Sequence, residues 1–130
     1  MPSARGSFEV NIEPEPPYLE DGGVKLNLNR VEKQYSGDMV GSARAHMLAA
    51  YTTTPGSAGY VAIEHFSGTV NGKSGSLALQ HSGTMDRGEA SLTVTVVPDS
   101  GTGELAGIAG TLELNSEEAG HTYVFEYELA

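Results

Sequence analysis

Residues 60–96 read YVAIEHFSGTVNGKSGSLALQHSGTMDRGEASLTVTV, and two dipeptides inside this stretch decide how the chain folds. Asn71-Gly72 is a strong two-residue hairpin signal, because both central positions of such a turn need positive φ and Asn and Gly tolerate it best. It sets Val70 opposite Lys73, and therefore Phe66 opposite Leu77, Glu64 opposite Leu79, and Ala62 opposite His81. Arg87-Gly88 is a second two-residue candidate. It sets Met85 opposite Ala90, Gly83 opposite Leu92, His81 opposite Val94, and Leu79 opposite Val96. A one-residue slip would exchange the two faces of a strand, so agreement between the two turns matters. Both registers give one face carrying Tyr60, Ala62, Glu64, Phe66, Leu77, Leu79, His81, Met85, Ala90, Leu92, Val94 and Val96. The opposite face carries Val61, Ile63, His65, Ser67, Ser76, Ala78, Gln80, Ser82, Ser91, Thr93 and Thr95. The first face is the core side.

The same period of two runs outward from this meander, as half-buried strands require. Phe8, Val10 and Ile12 alternate with polar neighbours, as do Val24, Leu26 and Leu28, and then Tyr123, Phe125, Tyr127 and Leu129. Eight segments are predicted, at about 5–13, 24–35, 39–53, 59–70, 74–85, 89–98, 103–115 and 121–129. The apolar side of 24–28 is read as core-facing. Ala43, Ala45, Met47, Leu48, Ala49 and Ala50 are good helix formers, but the segment is short, uncapped and set between strands, and is read as a strand. Residues 14–23 (PEPPYLEDGG) are a Pro- and acid-rich crossing that cannot be a central strand. The 17 glycines are spaced as turn punctuation. Eight short strands with tight turns predict a single all-β domain over residues 1–130, an eight-stranded antiparallel sandwich or barrel.

Composition narrows the function. The 130 residues hold no Cys or Trp, and 7 Lys plus Arg stand against 17 Asp plus Glu, a net charge of −10. One domain is the default at this length. Without Cys there is no disulfide framework, no thiolate nucleophile and no Cys-ligated metal. The acid excess argues against nucleic acid and anionic membranes as partners. No apolar run is long enough to span a bilayer, no secretory leader is read at the start of the chain, and a cytoplasmic location is expected. His46, His65, His81 and His121 lack H-x-H or H-E-x-x-H spacing, so neither a metal nor any other cofactor is expected.

Two ionisable residues, Glu64 and His81, lie on the core face as diagonal neighbours on adjacent strands, about 7–8 Å apart at the backbone and within side-chain reach. A carboxylate in an apolar interior is costly unless paired. Burial raises its pKa and a nearby imidazolium lowers it, so the pair is a candidate for acid–base chemistry or for orienting a ligand. The competing reading is a structural hydrogen bond, the commoner outcome for such pairs. Tyr51, Tyr60 and Tyr127, with Phe66 and Met85, are candidate walls of a pocket for an apolar or aromatic ligand, or ordinary core. The run Ser100–Gly110 (SGTGELAGIAG) lacks the spacing and the following helix of a phosphate loop. Its Gly103, Gly107 and Gly110 are read as a sharp strand bend.

That glycine run resembles the strand bend of allene-oxide-cyclase-like and dirigent-like barrels. More broadly, the chain resembles a bacterial family of uncharacterised small proteins with that barrel. The matching pieces are Tyr35-Ser36-Gly37-Asp38, Ala49-Ala50-Tyr51, Glu64 with Gly68-Thr69, Gly72-Lys73-Ser74-Gly75-Ser76, Leu79-Gln80-His81-Ser82-Gly83 and Val96-Val97-Pro98, covering most of residues 35–112. The resemblance implies an eight-stranded antiparallel barrel around a cavity, often oligomeric, and no particular activity. Plant cyclases of this fold shape a reactive intermediate in an apolar cavity, and related bacterial barrels assist polyketide cyclisation. Three functions are therefore weighed: a small-molecule-binding barrel, a cyclase or isomerase with Glu64 as acid or base and His81 tuning it, and a self-associating module packing through the small outward residues beside Val61 and Ile63.

Overall fold

The structure, a computed structural model, describes residues 2–117 and 120–129. Among these residues the strands are β1 (Ser3–Pro14), β2 (Leu19–Asp21), β3 (Val24–Gly37), β4 (Met39–Tyr51), β5 (Ala58–Val70), β6 (Lys73–Asp86), β7 (Glu89–Val96), β8 (Ala109–Glu117) and β9 (Gly120–Glu128). The order β1-β9-β8-β7-β6-β5-β4-β3-β2 closes on itself because β1 also pairs with β3. Eight strands make a closed antiparallel barrel, and β2 is a short flap hydrogen-bonded to β3 alone. Among the described residues no helix is long and apolar enough to cross a membrane.

Both hairpins have the register their turns dictate. Asn71 (φ 47) and Gly72 (φ 83) share positive φ, as do Arg87 (φ 47) and Gly88 (φ 94), the geometry that matches strand twist. Val70 pairs with Lys73, Glu64 with Leu79 and Ala62 with His81, while His81 pairs with Val94 and Leu79 with Val96.

Two expectations need correction. On β3, Asn27 and Asn29 are buried on the lumen side in line with Val31, Lys33 and Tyr35, whereas Leu26 and Leu28 point outward and are half-buried. The Pro-rich crossing explains the inversion. It runs beside β3 with the Glu15 N–H donating to the Leu28 carbonyl and the Tyr18 N–H to that of Leu26, and the Asn27 side chain donates to the Glu15 carbonyl at 2.8 Å. Asn27 thus has a partner in the crossing, the Asn29 amide donates to the Tyr51 hydroxyl at 3.1 Å while its Oδ1 has no partner among the described residues, and Leu26 and Leu28 stay half-buried on the outer side. The second correction concerns the glycine run. Gly103–Leu105 forms a single 3-10 turn and β8 starts only at Ala109, so the expected strand over 103–115 loses nearly its first half. Gly103 (φ 59) and Gly107 (φ 82) adopt a conformation that opposes a strand. The loop folds over the end of the barrel and buries Leu105 and Ile108.

That end is solid. Met39, Phe66, Val70, Leu77, Leu105, Ile108, Tyr123 and Phe125 pack there with almost no exposure. The Tyr123 hydroxyl ties the strands together by accepting from the Met39 N–H at 2.8 Å and donating to the Ser36 carbonyl at 2.9 Å. The other half of the lumen is hollow, and the cause is residue size. On β4 and β5 the inward positions Ala45, Ala49 and Ala62 are alanines, so the segment that could pass for a helix instead opens space. On one side the wall is loosely joined, since β7 and β8 share one residue pair, Thr95 with Thr111.

Candidate functional site

Glu64 stands at the boundary between the packed and hollow halves. Strand alternation puts it inward on β5, and its side chain is fully buried. Three donors from two other strands meet its carboxylate. Lys33 Nζ on β3 donates to Oε1 at 2.9 Å, His81 Nε2 on β6 lies 2.8 Å from the same oxygen, and the Tyr35 hydroxyl donates to Oε2 at 2.5 Å. Lys33 and His81 are themselves buried. Burial alone drives the Glu64 carboxyl upward. The His81 hydrogen bond, the Lys33 charge and the Tyr35 hydroxyl together outweigh it and hold the group down at about 2. The converse acts on Tyr35, whose phenol is pushed far up by burial and by the neighbouring Glu64 charge. At neutral pH the core of the site is a carboxylate with a phenol that stays protonated.

Two aromatic faces complete the floor. Lys33 Nζ lies 5.0 Å from the Phe8 ring centre and 5.9 Å from that of Tyr35, within cation–π range. Tyr35 is fixed edge-on by Phe66 at 5.3 Å and by Tyr123 at 5.3 Å. Above the floor a cavity of about 260 Å³ is lined by Phe8, Val10, Val31, Lys33, Ala45, Met47, Tyr60, Ala62, Glu64, His81, Leu92 and Leu114. At its rim His121 stacks on Phe8 at 5.1 Å, and His121 Nδ1 lies 2.8 Å from Ser116 Oγ. A second, almost wholly apolar cavity of about 240 Å³ is walled by Ala49, Tyr51, Met85 and Leu92 among others. The two adjoin along Met47, Tyr60 and Leu92, together making up the hollow half of the lumen, with its polar groups at the bottom.

This hollow barrel is a fold already seen in a protein of related sequence. Residues 4–127 match the model of a family described as a protein of unknown function, DUF3224. The chain belongs to the DUF3224 family. A crystal structure of a DUF3224 protein of unknown function from Shewanella oneidensis MR-1 superposes with a TM-score of 0.94 at 39% identity, covering 100% of this chain and 98% of that one. No curated protein matches.

Within this DUF3224 barrel the residues singled out from sequence fall into three places. Glu64 and His81 meet at the floor. Tyr60, Tyr51 and Met85 lie along the hollow and its mouth, where Tyr51 is 41% and Met85 43% exposed. Phe66 and Tyr127 are instead in the packed end: Phe66 braces Tyr35, and Tyr127 stacks on Phe125 at 5.1 Å while its hydroxyl accepts from the Asn71 amide at 2.7 Å. They do not line the two cavities of the hollow. Lys33 and Tyr35 are the groups the sequence reading missed. A signal for them existed, because Val31, Lys33 and Tyr35 alternate with Glu32, Gln34 and Ser36, which places Lys33 on the apolar side of its strand.

Proposed function

We propose that this DUF3224 barrel binds a small molecule with an apolar or aromatic body, held in the hollow between Tyr51 and Glu64. The observation that supports it most is the contrast between the two ends of one lumen. Side chains fill one end, and alanines leave the other open above a cluster of buried polar groups. Concave, mostly apolar sites with a few converging polar groups are where small ligands bind. Glu64 serves as an anchor that fixes Lys33, His81 and Tyr35. A cyclase or isomerase role would need Glu64 to exchange a proton. A carboxyl held at about 2 has little proton affinity at neutral pH, so the binding role is preferred. The test is a thermal-shift screen of hydrophobic and aromatic metabolites. A compound at 100 times its Kd stabilises by about 2.7 kcal/mol, enough for a shift of several degrees. A broad library with no stabilising member would count against binding.

A separate observation favours self-association as a second role. On the outer wall Leu28, Leu48 and Val61 lie in one cross-strand row, with Ile63 one step away, and Leu48, Val61 and Ile63 are 48%, 52% and 54% exposed. Contiguous exposed apolar side chains mark contact faces. Sedimentation at high micromolar concentration tests this, and a clean monomer would remove it.

A further inference from the structure

Lys33 is the only Lys or Arg among the described residues that the barrel buries, in a chain with just 7 such residues. Its ammonium has three N–H donors. Among the described residues its only hydrogen bond is to Glu64 Oε1, an oxygen that His81 also approaches at 2.8 Å. Two donors are therefore left on the wall of a cavity whose other lining is largely Phe, Val, Ile, Leu, Met and Ala. The aromatic faces of Phe8 and Tyr35 soften the charge, but a ring face does not replace an acceptor. Buried donors without acceptors are costly.

We propose that Lys33 recognises the carbonyl oxygen of a neutral ligand, so that the molecule bound in the hollow is an apolar or aromatic ketone, ester, lactone or quinone. This rests on the binding role proposed above and names the chemical class of its ligand. Three comparisons select the carbonyl. An anionic head would compete with Glu64, already 2.9 Å from the same ammonium, and two carboxylates at one buried cation repel strongly where water is scarce. A hydrogen-bond donor would find Glu64 accepting from Tyr35 and Lys33 and in contact with His81. A pure hydrocarbon would fill the hollow and leave the Lys33 donors unmet. A neutral acceptor meets them and adds no charge, and its C=O bond is polarised as it does so.

The test uses three probes with one shape: 2-acetylnaphthalene, 2-ethylnaphthalene and 2-naphthoate, titrated into the full chain by calorimetry. A hydrogen bond to a charged group corresponds to roughly tenfold to a hundredfold in affinity. The ketone is therefore expected to bind at least tenfold more tightly than the ethyl compound, with the naphthoate below the ketone. The double variant Lys33→Met/Glu64→Gln removes both charges together, so no lone buried ion is left. It should lose the ketone preference, the ethyl compound then binding at least as tightly, because a carbonyl buried without a donor forfeits its hydrogen bonds to water. Should that variant not fold, the infrared C=O stretch of the ketone bound to the unaltered protein gives the answer, expected below its value in hexane. Equal binding of ketone and ethyl compound, tightest binding of the naphthoate, an unshifted C=O stretch, or a ketone preference that survives in the double variant overturns the carbonyl assignment while sparing the pocket. Failure of all three probes to bind overturns the pocket reading and the assignment with it.

Discussion

Glu64→Gln tests the polar floor without changing its shape. At neutral pH the substitution leaves the Lys33 ammonium buried beside a neutral amide. Removing one partner of a buried ion pair costs about 3–5 kcal/mol. The acid dependence of that loss follows from the carboxyl itself. Its pKa falls from 4.5 to about 2 in the folded chain, a shift that corresponds to about 3 kcal/mol at 1.36 kcal/mol per unit. Because the folded value lies below the unfolded one, this stabilisation is complete above about pH 5 and declines as the pH falls from 4.5 toward 2. Urea unfolding followed by circular dichroism, on the natural chain and on the variant, measures the gap between them at each pH. The other carboxylates titrate in both proteins and cancel. The gap should shrink by about 2 kcal/mol between pH 5 and pH 3, some 1.5 units below the unfolded pKa. A gap that stays constant down to pH 3 would show that the carboxyl is not held ionised by Lys33, His81 and Tyr35.

Tyr35→Phe removes one donor to a buried charge and should destabilise by about 1.5–3 kcal/mol in urea titrations at pH 7. An effect under 0.5 kcal/mol would mean that the hydroxyl does not carry that bond. Leu105→Ala leaves a hole under the loop that seals the packed end, where Leu105 is 0% exposed, and should cost about 2–5 kcal/mol. A cost near zero would mean the loop is not seated. Gly72→Ala meets no atom within 4 Å, so the φ of 83 alone is strained, and a loss of about 1 kcal/mol is expected with the hairpin register unchanged in amide NMR.

How much of this was legible in the chain depended on turns. Asn71-Gly72 and Arg87-Gly88 tie three strands into a single register, and that is enough to put Glu64 and His81 on the same face. No comparable constraint reached β3. Its first residues alternate Leu with Asn, and a rule that sends apolar side chains inward inverts them, because the pairing of residues 15–18 alongside β3 is a tertiary event. Lys33 was lost with that face. The chemistry of Glu64 could have recovered it, since a buried carboxylate needs a cation and Lys33 stands on the apolar side of Val31 and Tyr35. The hollow itself was hidden in the alanines, whose helix propensity says nothing about the space they leave inside a barrel. The glycine run misled for a local reason. Its positive φ values form a turn, and the strand waits until Ala109.

The most direct test of a ligand-binding lumen is methyl NMR of the full chain during titration with 2-acetylnaphthalene. Binding in the hollow predicts saturable shifts at Met47, Ala62 and Leu92, with Leu48, Val61 and Ile63 on the outer wall unmoved. Shifts confined to the outer wall, or none at millimolar probe, would contradict it.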